Sequence, residues 1–228
     1  MTVLDAVLAF AVVAGLLTLV PGLDTALVLR SSLTRTRPYA WATAGGVATG
    51  AVVWGIAAAV GVSALLTASE IAYRILTAAG AAYVLWLGLS MIVKSFRAQP
   101  LEAGSDGKAT PPPSSAWQGW LTGAGTNLLN PKVGVFYIAT IPQFLPEGVS
   151  PLLMGALLAG VHGALTMAWF ALIILGGGYA RRWLADPRAL RIIDRITGTV
   201  LIGFGAKLVV DAIPSGAVAL GRPLPRLV

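Results

Sequence analysis

Charged residues are so sparse along this chain that they cut it into long apolar blocks. Uncharged stretches cover 6–23, 38–69, 75–93, 109–131, 133–146 and 148–180, and a last apolar stretch opens at Ile196, interrupted by Lys207 and Asp211. A helix crossing the hydrocarbon core of a bilayer needs about 20 mostly apolar residues. The blocks therefore predict six spanning helices, at roughly 4–29, 40–67, 71–93, 117–144, 151–178 and 194–214. The strict alternation that builds a membrane barrel is absent. Residues 1–19 carry Asp5 and no basic residue before the apolar run, which predicts the first helix of the mature protein rather than a signal peptide.

Basic residues set the expected orientation, because cytoplasmic connections are enriched in Lys and Arg. Arg30, Arg35 and Arg37 fall in the first connection, Lys94, Arg97 and Lys108 in the third, and Arg181, Arg182, Arg188 and Arg191 in the fifth, with Arg195 at its end. The second and fourth connections together hold only Arg74. Odd connections are thus expected in the cytoplasm and both termini outside, despite Arg222 and Arg226 in the tail. A five-span count, with Lys132 dividing the fourth segment, would move one terminus to the other side. Tyr39, Trp41, Trp117, Trp120 and Trp183 lie near span ends, as interfacial anchors should.

The third connection contains Pro111-Pro112-Pro113 with Gly and Ser around it. It divides a single membrane domain into a three-helix half at 1–97, a cytoplasmic linker at 98–116 and a second three-helix half at 117–228. Three is odd, so matching halves would lie upside down relative to one another, the inverted-repeat plan of many secondary transporters. The first helix of each half carries an interruption: Pro21-Gly22 followed by Asp24, and Asn130-Pro131 followed by Lys132. Proline removes a backbone donor and clashes with the preceding turn. Carbonyl and amide groups freed inside a membrane need partners, from protein or from a polar ligand. Broken helices at corresponding places in two halves point to a transport site; as single features they would be ordinary kinks. The expected fold is an all-α integral membrane protein of six helices in two inverted repeats, with the first helix of each half broken.

Composition agrees with this class. The 228 residues are 57% hydrophobic and 11% charged, against about 25% charged in soluble domains. A net charge of +7 on so apolar a chain fits anionic lipid headgroups better than nucleic acid. No cysteine is present, which removes disulfides, thiol redox chemistry and Cys-ligated metals. Neither a phosphate-binding loop nor a Gly-x-Ser-x-Gly setting for Ser31 or Ser32 exists.

The polar residues near the interruptions are the candidate substrate site: Pro21, Gly22, Asp24, Thr49, Asn127, Asn130, Pro131 and Lys132. A carboxylate deep in a bilayer costs about 2.5–3.5 kcal/mol on insertion scales, so it persists when paired, protonated or facing water. Asp24 reads first as a proton-coupling or ammonium-binding group; the plainer reading, compatible with it, is a cap for the helix that restarts after Pro21-Gly22. Lys132 would hold a substrate carboxylate, pair with Asp24, or snorkel to the interface. Asn127 and Asn130 both donate and accept, suiting them to a zwitterion or to carbonyls freed by Pro131. Gly46 and Gly50 form a small-x-x-x-small pair suited to close helix approach, with Thr49 beside them as a ligand candidate. His162, the sole histidine, shares a helix face with Thr166 and Trp169; it is a second proton-coupling candidate or a member of a packed polar face. Lys207 and Asp211, four apart, would pair locally.

Taken in order, several segments resemble one family, the LysE/RhtB amino-acid exporters of bacteria (the lysine exporter and homoserine/threonine resistance proteins). They are Pro21-Gly22 with Asp24 and Leu29-Arg30-Ser31-Ser32, Gly45 to Gly50, Asn127 to Lys132 with Phe136 and Pro142-Gln143-Phe144, Ile193 to Thr199, and Gly203 to Leu208. The resemblance implies a gradient-driven exporter of amino acids or their derivatives in the cytoplasmic membrane, and suggests a homodimer. Departures are Leu23, where the family usually has a second proline, and Ala51, where an acid is common; Lys207 occupies a usual basic position.

The expected function is secondary export of a small zwitterionic amino acid driven by a proton or ion gradient, without a cofactor or a nucleic-acid partner. A cation or metal-ion transporter or channel is the alternative, using Asp24 and freed carbonyls as ligands. An intramembrane enzyme built on His162 with Asp24 or Glu147 stands behind both, for want of a nucleophile or metal cluster.

Overall fold

The computed structural model describes residues 1–96 and 115–212, of residues 211 and 212 the backbone alone. The Pro-rich linker, Arg222, Arg226 and the Asp211 side chain expected to meet Lys207 lie outside the described residues. The described chain is helical, without strands: α1 Val3–Leu19, α2 Leu23–Thr34, α3 Arg37–Ala68, α4 Glu70–Ser95, α5 Ala116–Leu128, α6 Pro131–Thr140 continued by a 3-10 turn Ile141–Phe144, α7 Pro151–Leu184 and α8 Pro187–Ala212. The helices α3, α4 and α7 are each long and apolar enough to cross a membrane, and α1 with α2 makes a fourth candidate, bent by 57°.

Both interruptions are present as breaks. After α1, the Val20 amide turns back to the Leu17 carbonyl, and the chain restarts at Leu23. The Leu16 carbonyl accepts instead from the Thr197 hydroxyl of α8, at 3.4 Å. After α5, the amides of Leu129 and Asn130 bond to the carbonyls of Gly125 and Asn127. Pro131 then opens α6, where a missing amide hydrogen costs nothing.

The fifth connection is itself largely helical. The helix α7 continues to Leu184 and α8 begins at Pro187, so Arg181, Arg182, Arg188, Arg191 and Arg195 ride on helix ends rather than on a loop. Two local devices allow it. Gly177, at φ 46° and ψ −118°, is a non-helical kink that divides α7 into two helical stretches, next to the expected end of the fifth span at 178, and the Asp186 carboxylate accepts from the Arg188 amide to cap α8.

Small residues bring the helices together. A Cβ at Gly46 would collide with the Trp120 carbonyl, and one at Gly123 with the Thr43 carbonyl, so α3 and α5 interlock backbone to backbone. Gly55 of α3 abuts Ala159 of α7, while Gly155 of α7 abuts Ala59 of α3. On α4 and α8, a Cβ at Gly88 would lie 2.8 Å from the Gly198 carbonyl oxygen, and one at Gly198 would lie 2.8 Å from that of Gly88.

The core has two parts. One is aromatic: Phe10 meets Phe144 edge-on at 5.3 Å and Phe136 at 6.2 Å, and Phe144 stacks on Phe204 at 5.0 Å. The other joins Val28 and Leu29 of α2, Ala40, Ala44 and Val47 of α3, and Phe170, Ile173, Ile174 and Leu184 of α7. It gathers the end of α2, the start of α3 and the end of α7 at one end of the molecule. Gly119 against the Tyr39 carbonyl brings the start of α5 to that end. Arg195 reaches the Ser95 hydroxyl at 3.3 Å, fixing the start of α8 beside the end of α4. The basic residues of the first, third and fifth connections among the described residues thus share one end.

Candidate substrate site

Both breaks open on one cavity of about 640 Å³. Its wall includes Pro21, Gly22, Asp24, Asn127, Asn130, Pro131, Lys132 and His162, all of them singled out from the sequence. Thr49 is not in that wall; its hydroxyl donates to the Gly45 carbonyl and accepts from the Trp120 indole. The Gly46–Gly50 pair faces α5, as close-packing residues do.

Asp24 occupies the first turn of α2, which has no side-chain cap because its N-cap is Gly22. The Leu23, Asp24 and Thr25 amides at this terminus therefore lack intrahelical acceptors. The Asp24 Oδ2 accepts from Asn127 Nδ2 at 2.9 Å and from Asn130 Nδ2 at 3.2 Å. Both asparagines are buried, at 2% and 6% exposure, so little water competes with them. Asn130 Oδ1 meanwhile accepts from the Lys132 amide, capping α6. One side chain thus closes the second break and grips the acid of the first. Asp24 Oδ1 and Asn127 Oδ1 are buried without a donor. Buried polar atoms are nearly always satisfied, so such exceptions call for explanation.

Lys132 shares the cavity wall with Asp24 and Asp194, yet among the described residues it stands outside ion-pair distance of either. Along α5, Asn127 is eleven residues from Ala116, or about 16 Å at 1.5 Å per residue. That is roughly half of a 30 Å hydrocarbon core.

His162 is fully engaged. The Thr18 hydroxyl donates to the Ala14 carbonyl at 2.8 Å, leaving its oxygen to accept from His162 Nε2–H at 3.2 Å. The Nδ1 atom then accepts from the Tyr137 hydroxyl at 2.8 Å. This pattern assigns the neutral Nε2–H tautomer. It also links α1, α7 and α6 close to both breaks.

The rest of the wall is mostly apolar and aromatic, including Val47, Ala51, Tyr83, Trp86, Met91 and Phe170. Beyond Phe136, away from the basic end, the Phe10–Phe144–Phe204 cluster fills the interior. Two charged wall residues, Lys94 and Asp194, were absent from the sequence-derived site. Asp194 had a legible signal: it shares a stripe of α8 with the buried Leu190, Thr197 and Leu201. Among the described residues no three His, Asp or Glu side chains gather as they would around a metal ion.

The Bacillus subtilis membrane protein YrhP, uncharacterized, is 28% identical over 90% of this chain and 98% of its own length. A leucine efflux protein of Klebsiella pneumoniae is 27% identical over 88% of this chain and 93% of its own. A threonine efflux protein of Salmonella typhi is 24% identical, covering 84% and 91%. No solved structure matches the chain. The profile of the LysE type translocators matches residues 15–212, both breaks included, and the chain belongs to that family.

Proposed function

We propose that this protein exports a small zwitterionic amino acid across the bacterial cytoplasmic membrane, driven by the proton or ion gradient. The observation that carries the reading is Asp24 at one helix break, its Oδ1 buried without a donor, in the wall of the same cavity as Lys132 at the other. An ammonium group would satisfy Asp24, held in place by Asn127 and Asn130. The carboxylate would take Lys132 and the uncapped amides of α2, since helix N-termini favour anions. Leucine and threonine efflux by relatives fits a cargo of this chemistry. A proton arriving from outside would neutralise Asp24 and release the ammonium group. His162, satisfied at both nitrogens as a neutral ring, would tie the two breaks together.

Six spans in two inverted repeats fit this mechanism, and contacts between corresponding helices support them. The Gly55–Ala159 and Ala59–Gly155 contacts exchange when α3 and α7 are exchanged, and Gly88–Gly198 does so for α4 and α8. A two-fold axis between matching helices produces such reciprocity. The shared basic end fits a cytoplasmic face, with both termini outside. The aromatic cluster then seals the outer side, and the cavity takes cargo from within.

Proteoliposomes preloaded with leucine or threonine and given a proton gradient test the reading. Wild-type protein should accelerate efflux, and Asp24→Asn and Lys132→Ala should each abolish most of it. Wild-type efflux in both variants would overturn the site assignment.

A further inference from the structure

Asp194 is a carboxylate on the buried stripe of α8, half exposed to the cavity and without a hydrogen bond or ion pair among the described residues. Its neighbour in sequence does not neutralise it. Arg195 turns away, donating to the Ser95 hydroxyl at 3.3 Å and lying 5.1 Å over the Phe96 ring. The cations whose fields reach Asp194 are Lys132 and Lys94, both in the same wall. Lys94 is carried by α4, which the Gly88–Gly198 contact locks to α8. Asp194 lies four positions before Gly198 and Lys94 six positions after Gly88, on helices that run antiparallel, since Ser95 meets Arg195 while Leu85 meets Gly205. Both side chains therefore project at the basic end of the cavity, Lys94 exposed and Asp194 half-buried. Opposite in sign and facing one lumen, they nevertheless stand beyond 4 Å from each other.

We infer that Asp194 and Lys94 form an outer station that receives the ammonium and carboxylate groups of the amino acid before it reaches Asp24 and Lys132. The inference rests on the export reading and extends it to a second binding site in the same cavity. Two unclosed acid–base couples, one at the mouth and one at the breaks, match the same zwitterion twice. A cavity of about 640 Å³ lies in the range that holds drug-sized ligands, which leaves room for two positions of a smaller one. Losing part of its hydration at the mouth lets the cargo meet each desolvation step with a charged partner already present. Lys132, within the field of both acids, is the group past which the carboxylate is handed inward.

Efflux kinetics with leucine and threonine separate the two stations. Asp194→Asn and Lys94→Gln should each raise the KM about tenfold, the equivalent of about 1.4 kcal/mol, while turnover at saturation stays within about twofold of wild type. Asp194→Glu should recover most of the lost affinity. The double exchange of Asp194→Lys with Lys94→Asp should lower the KM below that of either single reversal, a rescue that a merely structural role would not give. A wild-type KM in Asp194→Asn, or no rescue by Asp194→Glu, overturns the outer station even where Asp24→Asn abolishes efflux and the export reading stands. Full efflux by Asp24→Asn alongside a raised KM in Asp194→Asn removes the inner site instead. A wild-type protein that moves neither amino acid overturns both.

Discussion

Gly50→Ala is a one-carbon change that strikes the site from behind. A Cβ at Gly50 would lie 2.7 Å from Asn127 Oδ1, 2.9 Å from its Cβ and 3.1 Å from its Cγ. Comfortable carbon contacts begin at about 3.5 Å, so the Asn127 Cβ has to yield by about 0.6 Å. A rotamer change alone does not suffice, because the Asn127 Cβ itself is too close. The backbone of α5 must move, and Gly46 and Gly123 have already brought that helix into contact with α3. The same shift lengthens the 2.9 Å bond from Asn127 to Asp24 to about 3.5 Å, outside the roughly 2.7–3.2 Å of a sound N–H···O bond. Hydrogen bonds to charged groups are worth about 1.5–3 kcal/mol, so binding of the ammonium group should weaken by about ten- to a hundredfold. Initial efflux rates across a range of leucine or threonine concentrations measure this as a rise in KM. Gly45→Ala is the control: a Cβ there meets nothing within 4 Å, and it adds the same methyl group to the same helix. Equal KM values for Gly50→Ala and Gly45→Ala would refute the claim that Gly50 seats Asn127 and, through it, Asp24.

Two further outcomes follow from buried contacts. Tyr137→Phe removes the donor to His162 Nδ1 and leaves a buried acceptor unpaired, so purified protein should lose about 1–2 kcal/mol of stability; a melting temperature equal to wild type would show that this bond contributes nothing. Phe144→Ala excavates the aromatic cluster between Phe10 and Phe204, which costs about 3–5 kcal/mol in a packed interior and opens the side sealed in the proposed cycle. Vesicles carrying it should leak amino acid without a gradient, and a tight, fully coupled variant would place the seal elsewhere.

The sequence determined the features that depend on neighbours along the chain. Apolar runs fixed where helices form, because a backbone in hydrocarbon must bond to itself. Pro21 and Pro131 fixed the breaks, because a missing amide hydrogen acts within one turn. Asp24, Asn127, Asn130, Lys132 and His162 stood out as polar groups in apolar surroundings, and all line one cavity. Tertiary structure decided what those residues meet. That Asn127 grips Asp24 depends on the interlocking of α3 and α5 across Gly46 and Gly123, between segments more than seventy residues apart. Thr49, on the same helix as Gly50, turned to Trp120 instead of the cavity. Lys94 looked like an ordinary charge at a helix end until packing of α4 on α8 set it in the same cavity wall as Asp194. Spacing along a helix says which side chains share a face; only the crossing of two helices, set by how closely their backbones approach, says what that face looks at.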